Sequence, residues 1–382
     1  MSTEPEIKLL PYKNRQRFFA ILCTIFVLAL PALIFHTTGY RLNFDEGSEK
    51  TIVTTGGIYI TTDNLEVDVY LDDEQVRRPR LFRSAYYIQN VESGIHRAVV
   101  QQNGLNTWVK ELPVDPYMVI EASAFNMPVL PQVRLIPEFF DSQQTAVFDA
   151  SASSSTFFTE ATTTVDYMFS TSTATTSLIA NSEYEFVASL FSTSSATSTT
   201  PFGRFLGDGE LFRFSTTSET SVPTTTELFK ENGNIRLIKT DVDLYASWIG
   251  EMDTAPYYFC VTKSSSTIIA QRYGTHVAEQ IEEQRLSTTS ELYVDDNRIC
   301  RQTIKIDRKR QDVTYFDFLP GTSDLVLLQL EDGLYVSEID DRSWQNTQKL
   351  FPGNDYEIVI DNNAIYLKID DVIVELFTEI RE

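Results

Sequence analysis

Histidine and cysteine are scarce, with three of each in 382 residues. His36, His96 and His276 stand far apart, and none has a second His or Cys at ligand spacing, so the sequence lacks a zinc signature. Three cysteines are too few for a disulfide framework. Cations are also short: 31 Lys and Arg face 54 Asp and Glu, a net charge of −23. A duplex-binding surface needs clustered Lys and Arg, so this balance argues against nucleic acid as a partner. There is no Gly-rich phosphate loop with a Lys, no G-x-S-x-G elbow, and no His placed to activate a serine. Carboxylate pairs occur at Asp72-Asp73, Glu282-Glu283, Asp295-Asp296, Asp340-Asp341 and Asp370-Asp371. Most fall where a strand should meet a turn, and they are expected to be solvated turn residues rather than a catalytic pair. No EF-hand spacing is present, so no cofactor is expected, with weak calcium binding at "DDNR" or "GNDYEIVIDNN" left open.

What the chain does have is one long apolar run, "FFAILCTIFVLALPALIF", over residues 18–35. At ~1.5 Å per residue it spans roughly 27 Å, close to the ~30 Å hydrocarbon core of a bilayer. Lys8, Lys13, Arg15 and Arg17 precede it, while only Arg41 and Lys50 follow closely. That bias predicts a cytoplasmic tail over 1–17, a transmembrane helix over 18–38 and an extracytoplasmic remainder at the cell membrane. A cleaved signal peptide is the competing reading, but the run is long for one and no clear A-x-A site follows. Residues 39–56, polar and glycine-containing, are expected to form a stalk.

From residue 57 the period becomes two. "LEVDVYL" sets Leu65, Val67, Val69 and Leu71 on one face, "AYYIQNV" follows, and "HRAVVQQ" and "TWVKELPV" flank Asn103-Gly104 as in a hairpin. On the second hairpin strand Trp108, Lys110, Leu112 and Val114 share a face, with Lys110 the one polar intruder. Residues 57–136 are therefore expected to be a small β-sandwich. The succession Val69, Tyr70, Leu71, Asp72, then Gly94, His96, Val99, Gly104 and Trp108 resembles the PEGA domain, a short β-sandwich repeat of bacterial and archaeal envelope proteins. The Pro-Glu-Gly-Ala letters are replaced by "NLEV", and Asp72-Asp73 stands at the family's Asp-Gly. The basic turn between, Arg77, Arg78, Arg80 and Arg83, suits contact with anionic headgroups or wall polymers, against a plain solvated turn.

Residues 137–382 are expected to be a second all-β domain with Ser/Thr-rich loops over 142–226. The aromatics there, from Phe157 to Phe214, argue against a pure stalk, and "SEYEFVASLF" is read as a strand. "DLVLLQLEDGLYVSEIDD" and "DYEIVIDNNAIYLKIDD" echo each other as strand, turn, strand. This stretch resembles the blades of bacterial β-propellers of the TolB type, which implies a propeller-like domain, with a second β-sandwich as the alternative. Cys260 and Cys300 either form one disulfide across neighbouring strands or stay as buried thiols. Together these features imply a membrane-anchored, non-catalytic envelope protein that binds glycan or protein partners. An extracytoplasmic hydrolase with a carboxylate pair in a propeller funnel is the alternative.

Overall fold

A computed structural model describes residues 11–38, 40–42, 52–64, 66–77, 84–140, 146–147, 179–196, 228–287, 292–295 and 297–380. Arg78, Arg80 and Arg83, and most of the Ser/Thr-rich stretch over 142–226, lie outside the described residues. Strands dominate, joined by a few helices. By contacts the chain divides into two units, residues 1–98 with 111–124 and residues 99–110 with 125–382.

The first unit begins with a helix over Tyr12–Thr37. Its Tyr12–Phe35 portion is long and apolar enough to cross a membrane, and no residue of its most apolar 18-residue window is buried. The hydroxyls of Thr24 and Thr38 donate to the carbonyls of Ala20 and Ile34 (2.9 and 2.8 Å), which satisfies them without water. The stalk expected over 39–56 is in part sheet. Tyr40–Leu42 pairs with Ile52–Thr54, the start of an 11-residue strand, Ile52–Thr62. The β-branched run "TIVTT" favours extended backbone more than its polarity suggested. The same strand pairs in parallel with Val119–Ala124 and antiparallel with Ala85–Glu92. At Gly56 a Cβ would lie 2.4 Å from the Asp115 carbonyl oxygen, so only glycine fits there.

The other sheet of this region orders Glu74–Gln75, Asp68–Leu71, Gly94–Gln101 and Trp108–Val114. Asp72 and Asp73 form a two-residue hairpin loop, both with positive φ (49° and 70°), as a type I′ turn requires. The turn expected to be tight at Asn103-Gly104 is instead a six-residue connection, 102–107. Gly104 has φ +81°, and Leu105 is drawn inward to bridge Pro128.

The second unit contains three four-stranded antiparallel sheets. One joins Leu228–Asn232, Ile235–Lys239, Leu244–Trp248 and Thr303–Ile306. The next joins Tyr315–Phe318, Leu325–Leu330, Gly333–Glu338 and Thr347–Pro352, so the first of the two echoed sequences is a hairpin. The third joins Glu357–Asp361, Ala364–Ile369 and Val372–Phe377, and its fourth strand is the distant Gln132–Ile136. That pairing places residues 125–136 with the second unit rather than at the end of a sandwich domain over 57–136. No closed barrel or propeller is formed among the described residues. The first two sheets pack face to face through Leu237, Leu244, Ala246 and Ile304 against Phe316, Val326, Leu328 and Tyr335. Burial of these aliphatic and aromatic side chains is the main stabilising term here.

"SEYEFVASLF" is not a strand: Ser182–Ala196 is a helix. Val187 and Phe191 are buried against Ile136 and Ile373, with Tyr184 and Ala188 beside them, an i, i+3, i+4, i+7 stripe. Asn181 caps it, its Oδ1 accepting from Glu183 N at 3.0 Å. A second departure from pure β structure lies between two neighbouring strands. After Leu244–Trp248 the chain makes an excursion over 249–302 before returning as Thr303–Ile306. The excursion holds helices Ser266–Tyr273 and Thr275–Leu286 and a core of Val261, Ile269, Tyr273, Val277 and Ile281. At its base Cys260 and Cys300 face each other on paired strands, their sulfurs bonded at 2.04 Å.

Candidate functional site

The strand Gly333–Glu338 ends in "EIDDRSWQN", residues 338–346. Glu338, Asp340, Asp341 and Arg342 are all buried, so Asp340-Asp341 is not the solvated turn pair expected. Buried charges persist only when paired and hydrogen-bonded, and here each is. Lys110, fully buried, donates to Glu338 Oε1 (2.7 Å) and to the carbonyls of Asp340 (2.7 Å) and Trp344 (3.1 Å). Trp108 Nε1 donates to Glu338 Oε2 at 3.1 Å, and Asn346 donates to Oε1 through N (2.7 Å) and Nδ2 (2.8 Å). Arg342 grips Asp340 through Nε and its terminal nitrogen (2.9 and 2.8 Å) and lies over the Tyr257 ring. Arg301 forks onto Asp341 at 2.6 and 2.7 Å. Three buried acids thus meet three buried cations, and Lys110, the polar intruder of the sequence, belongs to this set.

The network pushes its carboxyls in opposite directions. Burial, and then the neighbouring Asp340, raises Glu338 against the pull of Lys110 and the Asn346 amide. Burial alone would also raise Asp340, but Arg342 and Lys110 outweigh it and bring that carboxyl down to about 2. Structural ion-pair networks perturb titration as catalytic sites do, so the shifts do not by themselves mark chemistry.

Above this network the loop opens into a cleft of about 400 Å³. Helix Thr275–Leu286 contributes His276 and Gln280, the end of Thr303–Ile306 and its following turn contribute Lys305, Asp307, Arg308 and Arg310, and the loop contributes Ser343, Trp344 and Gln345. Asp243 completes the wall. The loop is fixed at each residue. Ser343 N donates to the Tyr273 carbonyl (2.7 Å), the Trp344 carbonyl accepts from Lys110, and Gln345 donates to the Ile339 carbonyl (3.0 Å) and accepts from Asp307 N (2.6 Å). Gly274, with φ +98°, lets helix and loop approach: a Cβ would lie 3.0 Å from the His276 ring and 3.1 Å from the Ser343 carbonyl. His276 Nε2 sits 2.6 Å from the Asp341 carbonyl oxygen, and Gln280 donates to Asp341 Oδ2 at 3.1 Å.

Trp344 lines the cleft yet stays 38% exposed. Lys305 and Arg308 are drawn to Asp243 (2.7 and 3.3 Å). Those two cations outweigh burial and hold the Asp243 carboxyl below its usual range. Arg310, at φ 61° and exposed, has no hydrogen-bond or ion-pair partner among the described residues. Three cations, Lys305, Arg308 and Arg310, against two carboxylates, Asp243 and Asp307, leave an excess of positive charge in the cleft lining of a chain of net charge −23. Arg77, Arg78, Arg80 and Arg83 are one basic cluster of the sequence. "KIDRKR", 305–310, is a second, set inside an acidic, strand-rich region.

Arg77 is exposed, and its three companions lie outside the described residues. His96 lies in the first unit, its Nδ1 2.5 Å from Asp72 Oδ2 and its Nε2 2.6 Å from the Glu92 carbonyl oxygen, at the base of the Asp72-Asp73 turn. Among the described residues no three His, Cys, Asp or Glu side chains are grouped to hold a metal ion. No protein-family model matches this chain and no curated protein is similar to it in sequence, so the geometry of the cleft carries the functional argument.

Proposed function

We propose that this chain is a membrane-anchored, extracytoplasmic, non-catalytic binding protein of the cell envelope, whose cleft takes an acidic glycan. The single observation that carries this reading is that one cleft is lined both by the part-exposed indole of Trp344, on a loop held by hydrogen bonds, and by the exposed guanidinium of Arg310, which has no partner among the described residues. An indole offers a flat apolar face to a sugar ring, and a free guanidinium matches a carboxylate or phosphate in a fork. The Gln280 and Gln345 side chains bind Asp341 and main-chain groups of the cleft walls, and so fix the shape of the space in which these two groups lie. The apolar N-terminal helix supports the anchor, and the paired Asp72-Asp73 turn and His96 support a PEGA-like first module. Three four-stranded meanders, one completed by the distant strand Gln132–Ile136, support a propeller-like second domain.

A hydrolase has less support. The carboxyl that burial raises, Glu338, is sealed against Lys110 and is not part of the cleft lining, and Asp243, which lines the cleft, is shifted by Lys305 and Arg308 in the direction opposite to that of a general acid. The test is titration calorimetry of the full chain in detergent with oligosaccharides bearing uronate or phosphate groups and with their neutral counterparts. Binding of the acidic set, lost in Trp344→Ala and Arg310→Ala, is expected. Equal binding of neutral sugars, or binding unchanged in both variants, overturns the assignment.

A further inference from the structure

At the exit of the N-terminal helix three aromatic rings form a continuous row. Phe35, on the last turns of the helix, stacks on Tyr40 with centroids 5.5 Å apart, and Tyr40 meets Tyr117 edge-on at 5.8 Å. Tyr117 belongs to the turn 115–118 that leads into strand Val119–Ala124, and that turn is held firmly. Tyr117 N donates to the Thr55 carbonyl (3.0 Å), Gly57 N donates to the Met118 carbonyl (2.9 Å), and the missing side chain of Gly56 leaves room for the Asp115 and Met118 carbonyls. Tyr117 adopts φ 66°, in the left-handed region that an aromatic side chain disfavours.

This fixed turn nevertheless turns apolar side chains outward. Tyr117 is 56%, Met118 49% and Val119 47% exposed, beside Tyr40. A water-facing turn gains nothing from such residues. A turn level with the end of a membrane-spanning helix does, because Tyr favours the headgroup layer and Met the acyl boundary below it.

We infer that the turn Asp115–Val119 is a second membrane-contact element, seating Tyr117 with Tyr40 in the headgroup layer and Met118 at the top of the hydrocarbon, so that the first unit rides on the bilayer surface rather than being held clear of it. This rests on the reading that Tyr12–Phe35 spans the bilayer, and the experiment separates the two. In the full chain with Cys23→Ser, an environment-sensitive fluorophore is placed at Met118→Cys or, separately, at Val27→Cys, and each protein is reconstituted into phosphatidylcholine nanodiscs. The discs carry nitroxide quenchers either near the headgroup or at the bilayer centre. The expected result is blue-shifted emission at position 118 with stronger loss of intensity from the shallow quencher, and stronger loss from the deep quencher at position 27. Deep quenching at position 27 with water-like, unquenched emission at 118 overturns the contact element alone. Water-like emission at both positions overturns the spanning helix and the contact element together.

Discussion

Lys110 Nζ lies 2.7 Å from Glu338 Oε1, across 228 residues of sequence, with the lysine side chain fully enclosed. The ammonium also binds two carbonyls of the loop, those of Asp340 and Trp344, so one side chain both neutralises a buried acid and sets the backbone that displays the cleft indole. Removing one member of a buried pair leaves an uncompensated charge, which costs more than the pair itself contributes.

Lys110→Met is accordingly expected to destabilise the protein by about 3–5 kcal/mol. Adding Glu338→Gln should recover part of that loss, because the orphaned carboxylate is removed. Denaturant unfolding of the wild type, both single variants and the double variant measures the coupling. Additive effects would show that the pair is not coupled.

Acid should loosen the fold through a defined window. Asp340, ordinarily near 3.8, is held at about 2 in the folded state, so its stabilisation is complete above pH ~4 and is lost as pH falls toward 2. A shift of this size corresponds to about 2 kcal/mol. Asp332, held at about 2 by Lys349 and Tyr335, and Asp243, lowered by Lys305 and Arg308, act in the same sense. Glu338 acts in the opposite sense: raised by burial, it favours the folded state at low pH and loses that contribution as pH rises through its folded value. Melting temperature measured between pH 5 and 2 should fall, and Asp340→Asn should flatten the fall.

The disulfide closes the base of the excursion over 249–302 with a sequence separation of 40. A loop of that length implies a stabilisation of roughly 3–4 kcal/mol on the chain-entropy argument. Reduction, or Cys260→Ser with Cys300→Ser, should lower the melting temperature. It should also raise hydrogen exchange first in helices Ser266–Tyr273 and Thr275–Leu286. Since the second of these helices carries His276 and Gln280, glycan affinity should fall in parallel.

Trp344→Ala is expected to weaken acidic-glycan binding about tenfold, equivalent to ~1.4 kcal/mol, with little change in stability because the indole is part-exposed. Arg310→Ala should weaken binding too, and should also reduce its dependence on ionic strength, since this exposed cation is the group a bound anion would meet. Affinities at low and high salt, with thermal unfolding alongside, separate the two contributions.

Much of the architecture can be read along the chain. "LVLLQL" and "GLYVSE" flank Glu331-Asp332, and "EIVID" and "AIYLKI" flank Asn362-Asn363, whose positive φ values of 47° and 66° are what those letters favour. The helix Ser182–Ala196 was harder, because Tyr184, Phe186 and Ala188 also alternate. Only Asn181 as cap, the acids Glu183 and Glu185 in the first turn, and the Val187–Phe191 stripe decide it. The cleft itself was mostly hidden. Its supporting charges sit at 110, 301 and 338–342, and no local pattern shows that Lys110 will find Glu338 or that Arg301 will find Asp341. The run 305–310 was readable as a concentration of cations in an acidic protein, but its neighbour Trp344 comes to it only through the fold.

The two ends of the excursion leave the first sheet side by side, with Trp248 N donating to the Gln302 carbonyl at 2.8 Å. What lies between them is nonetheless anchored in the platform: Arg301 reaches Asp341, Tyr258 and Phe259 enter the core shared by the first two sheets, and the Tyr273 carbonyl accepts from Ser343 N. Such an insert, clasped at its neck by a covalent bond, can vary on the face that lines the cleft while the residues that root it stay as they are.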